Sequence, residues 1–132
     1  MPDANVLIGW LFDRSAPYEF VDRLTTADDV LAAQVLLPEC TSTLRAAVFD
    51  GRLEAREARE MLARLVDFPA QRVDSPQQFA LAFDFAARFR HRRAYDMQYL
   101  AVAARQDAEL VTMDGGMRHA AENAGVTVRF LG

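Results

Sequence analysis

Apolar side chains recur along this chain mostly at a helical period. Between Glu54 and Phe68, Ala58, Met61, Leu62, Leu65 and Phe68 share one face while Glu57, Arg59, Glu60 and Arg64 lie elsewhere, Glu60 and Arg64 being four apart. This predicts an amphipathic surface helix. Ser75-Pro76 opens the next one, with Ser75 expected as the cap and Pro76 at the first helical position, and it should run to about Arg90. Along it Phe79, Phe83 and Ala86 make one apolar face and Leu81, Phe85 and Phe89 a second, the pattern of a central helix or a subunit contact. Tyr95–Gln106, built from good helix formers, is another. Val6–Phe12, Tyr18–Thr26, about Val35–Phe49 and Gly116–Ala124 read as the remaining helices.

The period shortens at Glu109–Thr112 and again at Val126–Phe130, on either side of the Gly116–Ala124 helix. A strand–helix–strand crossover of that length forces parallel pairing and a right-handed connection. Val30–Ala32 and Arg72–Val73 are weaker strand candidates. The expected fold is therefore α/β: a parallel sheet of four or five short strands with helices on both faces. The 132 residues suit one domain spanning 1–132. No uncharged run approaches the roughly 18–20 residues of a membrane span. No basic segment precedes an apolar run at Met1-Pro2-Asp3, so a cytoplasmic protein is expected.

Charge narrows the chemistry. The fifteen basic residues are all arginine, and against nineteen acids they give 15 − 19 = −4. Without lysine there is no Schiff base, no Walker-type phosphate loop and no pyridoxal attachment. Phosphoaspartate enzymes that set a lysine beside their acid are closed off for the same reason. The lone Cys40 reads as a small core residue.

In an open parallel sheet, ligands bind beyond the carboxyl ends of the strands. Asp114 follows Glu109–Met113 there, and Asp3 stands where the first, stunted strand hands over to a helix. Glu39 lies in the otherwise uncharged Leu36–Thr41, and Asp96 opens an alanine-rich helix. Acids in such surroundings are rarely buried unless paired. Singly, each has an ordinary reading: Asp3 and Asp96 as helix caps, Asp114 as a turn residue, Glu39 as the partner of Arg45 or Arg88. If the four converge, each close pair repels by about 4 kcal/mol at 4 Å and an effective dielectric near 20. Such a cluster calls for a cation, and oxygen-only donors select Mg²⁺ or Mn²⁺.

Asp3-Ala4-Asn5-Val6-Leu7-Ile8, Glu39-Cys40-Thr41-Ser42-Thr43-Leu44-Arg45, Tyr95-Asp96-Met97-Gln98-Tyr99-Leu100-Ala101-Val102-Ala103 and Val111-Thr112-Met113-Asp114, in that order, resemble a PIN-domain ribonuclease across the whole chain. Within that group the likeness is to the VapC-type toxins of bacterial toxin–antitoxin pairs. The resemblance implies a three-layer PIN-like fold and a Mg²⁺- or Mn²⁺-dependent endoribonuclease. Its metal would be held by Asp3, Glu39, Asp96 and Asp114, with Asn5 and Thr112 as hydrogen-bonding groups behind them. It also implies an antitoxin partner and a homodimer. Arg88, Arg90, Arg92 and Arg93, just ahead of Asp96, are candidate RNA contacts, their ordinary reading being cations at a helix C-terminus. The competing function is a non-catalytic PIN-like binding module.

Overall fold

The structure, a computed structural model, describes residues 1–13, 17–27, 29–73 and 75–132. In chain order the elements are α1 (Ala4–Phe12), α2 (Glu19–Leu24), β1 (Leu31–Ala33), α3 (Leu36–Phe49), α4 (Ala55–Val66), β2 (Gln71–Val73), α5 (Pro76–Arg88), α6 (Tyr95–Gln106), β3 (Leu110–Thr112), α7 (Gly115–Asn123) and β4 (Val128–Phe130). Every helix expected from the period is present, within a few residues at each end. The architecture is the three-layer α/β arrangement of helices around short parallel strands.

The sheet departs from expectation. It is hydrogen-bonded as two parallel pairs, β1 with β2 in the register Leu31 to Gln71 and β3 with β4 in the register Leu110 to Val128. The chain start adds a single parallel bridge, Pro2 to Val111. There the Val111 N–H donates to the Met1 carbonyl at 2.8 Å and the Asp3 N–H donates to the Val111 carbonyl at 3.1 Å. Because Met1 and Asp3 spend their groups on β3, Pro2 faces the opposite side, where a neighbouring strand would need the N–H that proline lacks. A space of about 480 Å³ lies there at the amino ends of the strands, between Met1 and Val111 on one wall and Val30 and Leu31 on the other.

α6 is the central helix. Met97, Tyr99, Leu100, Ala101, Val102 and Ala103 are all buried on it, and α5 packs along it. α5 presents Gln78, Ala82 and Ala86 inward, with Leu81, Phe85 and Phe89 half-buried. Phe79 and Phe83 are 53% and 71% exposed, so they do not share the fate of Ala86. Small residues let the two helices approach closely, which turns the bulkier phenylalanines away. Pro76 takes the first helical position, but Ser75 does not cap: its hydroxyl donates to Gln77 Oε1 at 2.5 Å.

Trp10 belongs to the core, its indole N–H donating to Asp22 Oδ1 at 2.9 Å and its ring meeting Phe68 edge-on, while Phe12 is left 58% exposed. Cys40 is fully buried, and that burial, with the charges of Glu39 and Asp3 nearby, pushes its thiol up to about 12. Among the described residues no helix is long and apolar enough to cross a membrane.

Gln78 is 2% exposed and its side-chain amide nitrogen has no hydrogen-bond partner among the described residues. A buried donor left unsatisfied costs about 1–3 kcal/mol. Gln78→Met, of similar length and without the polar atoms, should therefore raise the urea midpoint by the equivalent of about 1 kcal/mol. A lowered midpoint would mean that the amide is satisfied in solution.

Candidate active site

Four helices begin at one recess beyond the carboxyl ends of the strands, and each brings an acid to it. Asp3 is the N-cap of α1 and Asp114 the N-cap of α7, while Glu39 and Asp96 sit in the first turns of α3 and α6. The recess is lined by Asp3, Ala4, Asn5, Glu39, Asp96, Tyr99, Asp114 and Met117. Its volume of about 60 Å³ holds several waters, since one needs roughly 10–15 Å³ on that measure. The structure thus brings together all four acids singled out in the sequence, from positions as far apart as 3 and 114.

The caps that the ordinary reading assigns to Asp3 and Asp114 are real, and they also aim the carboxylates. Asp3 Oδ1 accepts from the Val6 N–H at 3.0 Å, and its Oδ2 accepts from the Thr112 hydroxyl at 2.5 Å. The same Thr112 oxygen accepts from the Asp114 N–H at 3.0 Å. Thr112, fully buried at the end of β3, therefore ties the chain start to the loop that carries Asp114. Asp114 Oδ1 in turn accepts from the Met117 N–H at 2.9 Å. Asn5 is exposed on the wall of the recess.

Glu39 is half-buried and pairs with neither Arg45 nor Arg88; its Oε2 accepts from the Tyr99 hydroxyl at 2.6 Å. Sequence reading passed over Tyr99. The available signal was a hydroxyl three residues after Asp96, on the same face of an otherwise apolar helix. Arg45 lies over the Phe49 ring instead.

Burial strips water from Asp3 and raises its carboxyl above the ordinary range; the bonds from Thr112 and Val6 oppose this, and the charges of Asp114 and Asp96 add to it. Glu39 is raised in the same way, burial leading, the Tyr99 hydrogen bond opposing, and Asp96 and Asp3 adding. The positive ends of four helix dipoles offset part of this strain. Among the described residues no three Asp, Glu, His or Cys side chains stand in ion-holding spacing. The charged groups around the recess are nevertheless all carboxylates, with the Asn5 amide and Tyr99 hydroxyl as further oxygen donors, a chemistry that suits a hard divalent ion.

The four arginines part company. Arg88 donates to the Asn123 carbonyl at 2.7 Å and lies over the Phe89 ring, at the far end of α7 from Asp114. Arg90 holds a left-handed backbone with φ 59° and is exposed, as is Arg92. Arg93 lines a groove of about 610 Å³ that shares Ala4, Asn5, Glu39 and Asp96 with the recess and is completed by Val35, Pro38, Ser42, Thr43 and Tyr95.

The sequence pattern of the family described as "PIN domain" matches residues 1–123. The fold is similar to the crystal structure of PAE2754 from Pyrobaculum aerophilum, with a TM-score of 0.75 over 96% of this chain and 87% of that one, at 16% sequence identity. Comparison with curated proteins gave no match.

The raised carboxyls fix a sign. A folded pKa above the unfolded value of about 4 means that ionised Asp3 and Glu39 cost stability at neutral pH. The cost is relieved as pH falls through the raised values. Burial also lowers the Met1 amine to about 6, which costs stability as pH falls over the same range, so the carboxyl effect is read as a difference. Without divalent ions, Asp3→Asn, which keeps the cap, should melt higher than wild type at pH 7, by a margin that shrinks towards pH 5. Thermal melts of both proteins across that window check this, and parallel profiles would refute it.

Proposed function

The chain belongs to the PIN-domain family, whose members are typically metal-dependent nucleases, and from that premise we propose that it is a Mg²⁺- or Mn²⁺-dependent endoribonuclease acting as the toxin of a toxin–antitoxin pair. One observation carries the reading: four carboxylates, from the amino ends of four helices, line one small recess.

In this proposal Asp3, Asp96 and Asp114 hold the ion, and Glu39 holds a second ion or orients the attacking water. A bound divalent ion supplies Lewis acidity and positive charge at the phosphate. The chain supplies the rest. Tyr99 pins Glu39 Oε2, which leaves Oε1 to orient a water. Thr112 keeps Asp3 and Asp114 in fixed relation. The helix amino ends favour an anionic phosphate between them, and Arg93 is placed to grip a neighbouring phosphate.

The toxin role needs a masking antitoxin. Surfaces offered for one are the exposed Phe12 and a largely apolar groove of about 330 Å³ between α3 and α4, with Leu44, Val48, Ala58 and Leu62 in its walls. Phe79 and Phe83 on α5 are the matching candidates for homodimer contact. That no three Asp, Glu, His or Cys side chains stand in ion-holding spacing among the described residues favours the second reading, a PIN-like module that binds without cleaving.

Cleavage of single-stranded RNA by the purified protein separates the two. Mn²⁺ should support it and EDTA abolish it, and Asp96→Asn should lower the rate roughly 100-fold or more, since the charge stabilisation at stake is several kcal/mol. Tyr99→Phe, which keeps the ring, should cost about 10- to 100-fold. Wild-type protein that leaves RNA intact, with Mn²⁺ binding by calorimetry unaffected by Asp96→Asn, would favour the module.

A further inference from the structure

Tyr95 is the one large hydrophobic side chain of α6 that the core does not take. Met97, Tyr99 and Leu100 on the same helix are buried, whereas Tyr95 is 63% exposed. It stands directly before Asp96 on the wall of the groove that continues the acidic recess. Leaving an aromatic ring in water forgoes the burial that such a ring contributes elsewhere. Here the ring borders a cavity, and the groups around it are informative. Arg93 offers a guanidinium two residues earlier, and Ser42 and Thr43 bring exposed hydroxyls from α3, three and four residues past Glu39 on the same helical face.

A flat π surface, a cation and hydroxyls, set in line with the acidic recess, match the parts of a nucleotide: base, phosphate and sugar. An acidic peptide would meet Glu39 and Asp96 with like charge, and an apolar peptide would leave Arg93, Ser42 and Thr43 without partners. A duplex hides its base faces inside the stack, so the ring can serve only an unstacked base.

We infer that Tyr95 is the stacking platform for the nucleobase next to the cleaved phosphate, with Arg93 on the adjoining phosphate, so that the groove selects an unpaired position in the RNA. This rests on the reading of the recess as a site of phosphodiester cleavage.

The experiment measures binding of a 5′-labelled oligouridylate and of an RNA duplex of equal length by fluorescence anisotropy in Ca²⁺. Cleavage of the same single strand is followed in Mn²⁺. Tyr95→Ala should weaken single-strand binding roughly 5- to 150-fold, the range found per stacked base, and raise KM in step. Tyr95→Phe should stay within about twofold of wild type, because the ring and not the hydroxyl does the stacking. Duplex binding should be weaker in wild type and indifferent to either change. Arg93→Ala should lower the salt dependence of binding by roughly one phosphate contact. Because the Tyr95 ring is exposed, its removal should leave the melting temperature unchanged, which separates lost stacking from misfolding. Wild-type cleavage with an unaltered Tyr95→Ala affinity overturns the platform and leaves the nuclease reading standing. Wild-type protein that neither binds nor cleaves RNA overturns both.

Discussion

The site depends on one coincidence of topology and electrostatics. In a parallel α/β fold the carboxyl end of a strand is also the place where the next helix begins, so acids placed after strands meet the positive ends of helix dipoles. Asp3, Glu39 and Asp114 exploit this at α1, α3 and α7, and Asp96 joins them from the first turn of α6, which follows α5 instead of a strand. Each helix amino end carries roughly half a positive charge, which opposes the repulsion among the carboxylates. Burial adds the larger cost, and repulsion and burial together raise the carboxyls of Asp3 and Glu39. A site in that condition gains from any cation or proton that enters it.

Much of this was legible in the sequence because the acids stood out by contrast. Asp3 and Glu39 lie in uncharged stretches, Asp96 opens an alanine-rich helix and Asp114 closes an apolar strand, so their ordinary readings as caps, turn residue or ion-pair partner left the set of four unexplained. The helices were legible because amphipathic periods are long-range averages that survive local noise. What failed was orientation. On α5 two apolar faces competed, and the choice was made by the alanines that allow α6 to come close, not by the larger phenylalanines. The break in the sheet was hinted at by Pro2, yet its cause lies in which side of the strand the proline faces, and pairing register settles that.

Proximity along the chain also misleads. Arg88 and Arg93 are five residues apart and carry the same charge, yet one serves the carboxyl end of α7 and the other the groove beside the acids. The left-handed turn at Arg90 lies between them. Tyr99 shows the converse: its link to Glu39 spans sixty positions and is visible only when α3 and α6 are packed.

The hydrogen bonds divide the acids into two jaws. Thr112 joins Asp3 to the Asp114 loop, and the Tyr99 hydroxyl joins Glu39 to the helix that carries Asp96. Within each jaw a hydrogen bond couples the carboxylates, and the gap between the jaws is spanned by the packing of α1 on α3 and of α6 on α7. An ion seated across that gap would act as a clasp, drawing two prefabricated halves together instead of assembling four independent side chains.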